Sequence, residues 1–297
     1  MFFENWMTYI KDDAKITKIA MPGSHNTGTM KMFRFACCQN GTLYEQFQYG
    51  VRFFDIRLRA DKKGVRIAHG LLKGRPADEV FAEIRKILDT SEEFLIISVQ
   101  TYMNQKVGPI NLHYSGNAEE TDRLISKYLD PENYALTDYD DIRNITLGDL
   151  RKSGKRYIII NEKKEYEYST DCPFEGPWNP TVYGFKPRKF AMRIQKYLKE
   201  IETDGFFWFQ TQQTPNLGTE NGWTKWPYGL DTMSRVHFPQ IIKDIEADPV
   251  MLSRVNIVAG DFMTRDLMKQ GKILGLNLAK GIVKEELKDE FINNISE

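Results

Sequence analysis

The sequence predicts an α/β protein folded as a single irregular TIM-type (β/α) barrel over residues 1–297. Three observations carry that prediction. Short runs rich in Ile, Val and Phe alternate with segments of helical periodicity, which argues a parallel sheet covered by helices. A chain of 297 residues suits one such barrel and is long for one sandwich or bundle. No low-complexity stretch, repeat or linker divides it, which favours a closed or nearly closed sheet over two domains.

Strands are expected at Ile16–Met21, Val51–Leu58, Val65–Ala68, Phe94–Val99, Arg156–Ile160, Gly205–Phe209 and Val255–Ala259, each bounded by polar residues, Gly or Pro. Helices are expected between them. Ala77–Asp89 places Val80, Phe81, Ile84 and Ile87 on one face, and Ala118–Leu129, Phe190–Ile201 and Phe238–Ala247 follow the same pattern. Asn104–Asn117 reads as the longest loop.

Composition narrows the function. Formal net charge is zero and no basic stripe is visible, which argues against nucleic acid as a partner. Hydrophobic residues at 41% and charged residues at 28% fit a soluble globular chain, expected to be a monomer. Cys37, Cys38 and Cys172 have neither a disulfide framework nor zinc-ligand spacing and read as free thiols. Nothing approaches the roughly 18 unbroken apolar residues of a membrane span. Met1–Asp13 lacks the basic start and apolar run of a signal peptide. The protein is therefore expected to be cytoplasmic, or, if a signal has been removed, secreted or peripheral at a membrane surface.

In a barrel of this kind the active site lies just past the C-terminal ends of the strands. There the sequence places Met21-Pro22-Gly23-Ser24-His25-Asn26, with Pro22 and Gly23 read as a sharp turn before the histidine. Phe53-Phe54-Asp55-Ile56-Arg57 puts Asp55 and Arg57 on one side of a strand and Phe54 and Ile56 on the other. Arg66-Ile67-Ala68-His69 ends a short strand on a second histidine, and Ile257-Val258-Ala259-Gly260-Asp261 ends one on a carboxylate. Singly, each has an ordinary structural explanation: a hydrogen-bonded histidine, an internal ion pair, a helix cap. Together they differ. The chain has four His, and two of them end separate expected strands. First and last barrel strands are neighbours, which brings Asp261 within reach of His25. Two imidazoles, a guanidinium and orienting carboxylates are what in-line cleavage of a phosphodiester requires. His113 and His237 read as structural or surface groups.

MPGSHNTGT, YEQFQYGVRFFDIRLR and IAHGLL resemble the X-region of the bacterial type of phosphatidylinositol-specific phospholipase C, over about the first third of the chain. The resemblance implies an irregular barrel and no cofactor. It implies that His25 is the general base that deprotonates the inositol 2-hydroxyl, and that His69 is the general acid for the leaving diacylglycerol oxygen. It further implies that Arg57 stabilises the pentacoordinate phosphate with Asp55 beside it, and that Asp261 supports the base. Asn26 stands where secreted bacterial members have Asp and calcium-dependent eukaryotic members have an Asn metal ligand. Arg57 stands where those calcium-dependent members have an acidic ligand, and a fixed guanidinium repels a cation, so catalysis is expected without metal. Gln100, Asn161, Gln210 and Gln212, with Asn26, are the expected substrate-binding residues, amides where the secreted enzymes carry charges. An altered headgroup preference follows. The aromatic and basic stretches Met30–Phe35 and Asn221–Tyr228 are candidates for peripheral contact with a lipid surface. The competing readings are a metal-dependent phosphodiesterase of glycerophosphodiester or sphingomyelinase-D-like type, and a lipid-headgroup binder without catalysis.

Overall fold

The computed structural model describes residues 1–33, 36–107, 110–115, 118–160, 166–170, 174–175, 187–200, 204–212 and 228–296. In chain order the strands and helices are β1 (Met21–Ser24), α1 (Leu43–Gln48), β2 (Phe53–Asp61), β3 (Gly64–His69), β4 (Leu72–Pro76), α2 (Ala77–Thr90), β5 (Leu95–Gln100), β6 (Tyr102–Val107), β7 (Ile110–Ser115), α3 (Ala118–Leu129), α4 (Pro131–Tyr134) and α5 (Leu147–Ser153). They continue with β8 (Tyr157–Ile160), β9 (Ser169–Thr170), β10 (Phe174–Glu175), α6 (Pro187–Glu200), β11 (Phe206–Gln210), α7 (Tyr228–Ala247), α8 (Pro249–Arg254), β12 (Ile257–Gly260), α9 (Met268–Ala279) and α10 (Lys288–Ser296).

The central sheet runs β10-β11-β12-β1-β2-β5-β8-β9, and every neighbouring pair on that path is parallel. First and last strands therefore pair, with Gly23 opposite Ala259 and Ser24 opposite Gly260. Among the described residues the path is not closed between β9 and β10. This is the irregular (β/α) barrel expected, as a curled sheet with a seam.

Strand alternation sorts the core into two layers. Phe54, Ile56, Ile97, Ile159, Phe207, Phe209 and Val258 face outward and pack with Val80, Phe81, Ile84, Leu124, Ile241 and Ile273 of the helices. Met21, Phe53, Ile96, Ile158, Trp208 and Ile257 face inward and pack with Trp6, Met7, Ile10 and Ile16, which plug the N-terminal end of the sheet. Arg52 and Glu93 are sealed at that end by a hydrogen bond of 3.0 Å from Nε to Oε2. Continuing each inward row toward the C-terminal end gives Asp55, Arg57, Ser98, Gln100, Gln210 and Asp261. The interior thus changes from apolar to polar along the strands, and the polar end is the mouth.

Four expectations are corrected. Ile16–Met21 is not a strand: Ile16–Lys18 forms one 3₁₀ turn, and the strand is Met21–Ser24. Pro22 and Gly23 are hence not a turn. They lie buried in the middle of the sheet, where a Cβ on Gly23 would stand 2.9 Å from Phe53 Cδ1 and 3.0 Å from Ala259 Cβ. Glycine is present because three strands converge there, a fact of packing that mimics a turn signal. The strand ending at His69 is not a barrel stave. It is antiparallel to the overhanging end of β2, with Leu58 opposite Ile67 and Arg59 opposite Arg66, so the chain doubles back and carries His69 to the mouth. Asn104–Asn117 is largely the antiparallel hairpin β6–β7, with Val107 opposite Ile110; Ile110, Leu112 and Tyr114 alternate with polar residues as in a strand, but Gly108-Pro109 and the flanking polar residues give the stretch the composition of a loop.

Candidate active site

The loop after β1 carries His25, and the loop after β12 carries Asp261. Their strands are hydrogen-bonded neighbours, so His25 Nδ1 stands 2.8 Å from Asp261 Oδ1 across 236 residues of sequence. The two exits are fastened by Gln39, whose Nε2 donates to the carbonyls of His25 at 2.8 Å and Gly260 at 2.9 Å, while its Oε1 accepts from Met263 N at 3.0 Å. Lys269 Nζ donates to the Asp261 carbonyl at 2.9 Å. Both exits place a residue with a side chain in the left-handed region, Asn26 at φ 47° and Phe262 at φ 54°. Asn tolerates that conformation and Phe does not. Such strain of about 1–3 kcal/mol persists where surrounding contacts impose it, as at a functional loop.

His69 faces this pair with ring centroids 6.4 Å apart and planes at 84°. Its Nδ1 donates to the Ala36 carbonyl at 3.0 Å, which fixes the tautomer and leaves Nε2 as the other ring nitrogen. Beside it, Arg57 is held by Asp55 through Nε at 3.2 and 3.1 Å and through Nη2 at 2.9 Å. Asp55 is fully buried and also accepts from the Asn26 backbone N–H at 2.9 Å, whereas a quarter of the Arg57 side chain is exposed. The carboxylate therefore aims the guanidinium at the mouth and ties it to the His25 loop.

The two imidazoles hold protons differently. For His25, burial disfavours the charged ring, but the charge and hydrogen bond of Asp261, with a smaller contribution from Cys38, overcome it and push the ring up to about 9. For His69, burial lowers the pKa, the Ala36 carbonyl opposes that, and the charge of Arg57 adds to the lowering. At neutral pH the site's proton thus resides on His25.

Asn26, expected among the substrate-binding residues, is 1% exposed, and its amide lies against the ring, with Nδ2 2.9 Å from His25 Nε2 and 3.6 Å from Cys38 Sγ. Among the described residues its Oδ1 has no hydrogen-bond partner. A neutral His25 accepts from Nδ2 in this orientation. A charged ring carries a hydrogen on Nε2, and turning the amide presents Oδ1 to it. Gln100 is half-buried and sits in register with Arg57 on the adjacent strand. Gln210 pairs with Ala259, and Gln212 Nε2 donates to its Oε1 at 2.5 Å, so these two expected pocket amides are bound to each other. Asn161, Cys172, the segment 221–227 and residues 34–35 lie outside the described residues, as do the side chains of His113, Tyr228 and His237. Phe33, Leu71 and Leu72 are exposed by 63%, 45% and 45%.

Two site residues were not found from the sequence. Gln39 carries no motif, and its role comes only from the β1–β12 pairing. Cys38, read as a free thiol, is free and buried, but it stands inside the site, with Sγ 3.8 Å from His69 Nδ1. Nothing in its spacing marks it.

Fold and site together define a (β/α)-barrel protein with two opposed imidazoles and a carboxylate-held guanidinium at the C-terminal mouth of its strands. Over 98 residues the chain is 33% identical to the 1-phosphatidylinositol phosphodiesterase of Staphylococcus aureus strain Newman, a match covering 31% of this chain and 30% of that relative. The match thus spans less than a third of the curated relative's length. No family model matches the chain. Among solved structures it is similar to a phosphatidylinositol-specific phospholipase C from Listeria monocytogenes, with a TM-score of 0.63 at 17% identity, covering 93% of this chain and 98% of that one. It is also similar to the phosphatidylinositol-specific phospholipase C of S. aureus, with a TM-score of 0.65 at 18% identity, covering 92% and 97%. The fold is that of these bacterial enzymes over nearly the whole chain, and the resemblance read from the sequence stands.

Proposed function

We propose that residues 1–297 form one catalytic domain, a phosphatidylinositol-specific phospholipase C that works at a membrane surface without metal. The observation that carries this is the facing pair of imidazoles, one backed by Asp261 and the other beside Arg57. A phosphodiester seated between the rings meets every group an in-line displacement uses. His25 takes the proton of the inositol 2-hydroxyl, whose oxygen attacks phosphorus. The bond from phosphorus to the glycerol oxygen breaks, and His69 gives that oxygen a proton. The products are diacylglycerol and inositol 1,2-cyclic phosphate. Arg57 meets the charge on the equatorial oxygens. Asp55, Asp261 and Asn26 act through the groups they hold and are positioning residues.

The resting proton sits on the ring assigned as base. Chemistry therefore uses the isomer in which His69 is charged and His25 neutral, which has the same total protonation. Binding favours that isomer, because an anionic phosphate beside His69 stabilises its charged form.

A metal-dependent phosphodiesterase fits less well, since the Asp55 carboxylate is engaged by Arg57 and the Asn26 backbone. Exposed Phe33, Leu71 and Leu72 flank the mouth-forming segments and support peripheral contact with lipid. Among the described residues no helix is long and apolar enough to cross a membrane. Phosphorus-31 NMR on vesicles of phosphatidylinositol, its 2-deoxy analogue and phosphatidylcholine tests the proposal. The first lipid should yield a cyclic phosphodiester, and the other two should stay intact. Release of phosphocholine, or an acyclic phosphate with no cyclic precursor, would show that water is the nucleophile.

A further inference from the structure

We infer that Cys38, His25 and Asp261 form a binding site for a thiophilic divalent cation, of which Zn²⁺ is the natural probe, and that occupancy shuts the active site. The regulatory half of this inference rests on the catalytic reading of His25, and the binding half does not.

The three residues are buried, and one donor atom from each, an imidazole nitrogen, the thiol sulfur and a carboxylate oxygen, lies within 4.8 Å of the other two. Ligands on one tetrahedral zinc ion stand roughly 3.3–3.8 Å apart, given bonds of about 2.0–2.3 Å, so small side-chain adjustments close the set. Sulfur and imidazole are the pair zinc selects over the oxygen donors that suit magnesium or calcium. A second observation points to a ligand. Asn26 is buried against both His25 and Cys38 with its carbonyl oxygen unpartnered among the described residues, and turning the amide brings that oxygen to the position of Nδ2, 2.9 Å from the ring nitrogen and 3.6 Å from the sulfur.

Charge balances as well. On binding, the Cys38 thiol and the charged His25 ring each give a proton to solvent, and thiolate with the Asp261 carboxylate neutralises the dication. The nearby guanidinium of Arg57 does not upset this balance, because Asp55 pairs it bidentately. A coordinated His25 has no nitrogen with which to accept a proton from substrate.

The test uses the full chain with Zn²⁺ in calorimetry, and Co²⁺ in absorption spectroscopy, where a thiolate ligand gives a sulfur-to-metal charge-transfer band. The expected result is one ion per chain and a thiolate band. Cys38→Ser should weaken zinc binding more than 10-fold and abolish the band, and Cys37→Ser should leave both as they were. In vesicle assays Zn²⁺ should suppress phosphatidylinositol cleavage by the unmodified chain, reversibly on adding chelator. The ratio of rates with and without Zn²⁺ should move toward one in Cys38→Ser. A circular dichroism melt identifies a variant that is not folded, and the cobalt band of the unmodified chain then decides alone. Absence of that band, unchanged binding in Cys38→Ser, or loss of the band in Cys37→Ser instead overturns the site. Cysteine-dependent zinc binding in a chain that cleaves no phosphatidylinositol would overturn the catalytic reading and leave the site standing. Binding without suppression would overturn the regulatory half.

Discussion

The two sides of the mouth hold one imidazole each and hold it differently. On the β1–β12 side, His25 is buried, bonded to Asp261 and Asn26, and braced through Gln39 to both strand exits. On the hairpin side, His69 is half-buried at the end of an antiparallel strand, bonded to the Ala36 carbonyl and with the guanidinium of Arg57 nearby. The first environment raises the affinity of its ring for a proton, and the second lowers it. A proton is thereby stored on one side and withheld from the other, which a symmetric pair would not achieve.

Removing each ring has the largest effect. His25→Ala and His69→Ala should each lower turnover on phosphatidylinositol by ~10²–10⁴-fold, as loss of a general acid or base does. Stability should separate them. His25→Ala leaves the buried Asp261 and Asn26 groups without their partner, at a cost of about 1–3 kcal/mol, whereas His69→Ala should unfold close to the unmodified chain. Denaturant melts with steady-state rates measure both, and near-full activity in either variant would remove that ring from the mechanism.

The pH profile of kcat/KM sharpens the comparison at intermediate size. A pair that works with one proton gives a bell, with an acid limb below 6.5 from the lowered ring and an alkaline limb near 9 from the raised one. Asp261→Asn removes the charge that raises His25 and leaves the burial that lowers it, so the alkaline limb should shift to lower pH and the plateau narrow. Stability follows the same sign. The His25–Asp261 contribution is fully present below the unfolded value of 6.5 and is lost as pH rises through about 9. An alkaline limb that does not move in Asp261→Asn would dissociate the limb from this pair.

The smallest expected effect is none: excess chelator should leave phosphatidylinositol cleavage intact, because Arg57 and the Asn26 backbone occupy Asp55. Loss of activity in chelator with recovery on calcium would make Asn26 and Asp55 ligands and erase the distinction between the two sides.

Much of the barrel was legible because its staves are short apolar runs between helices of clear periodicity, as at Ala77–Thr90 and Leu95–Gln100. Alternation alone put Asp55 and Arg57 on one side of the strand and Phe54 and Ile56 on the other, and the structure makes the first side the interior. The errors fell where local signals are ambiguous. Pro22-Gly23 has the composition of a turn yet serves three-strand packing, and in the β6–β7 hairpin Gly108-Pro109 and the polar residues outweigh the short alternation of Ile110, Leu112 and Tyr114.

Local chemistry in the sequence determined which groups stand at strand ends: His25, Arg57, His69 and Asp261. Tertiary structure decided their relations. Pairing of the first strand with the last put Asp261 on His25, the doubling back of β3 set His69 opposite it, and the loop after β1 slid Cys38 and Gln39 between them. Proton affinities and metal-ligand distances depend on separations of a few ångström between groups far apart in sequence, and only the folded chain fixes those separations.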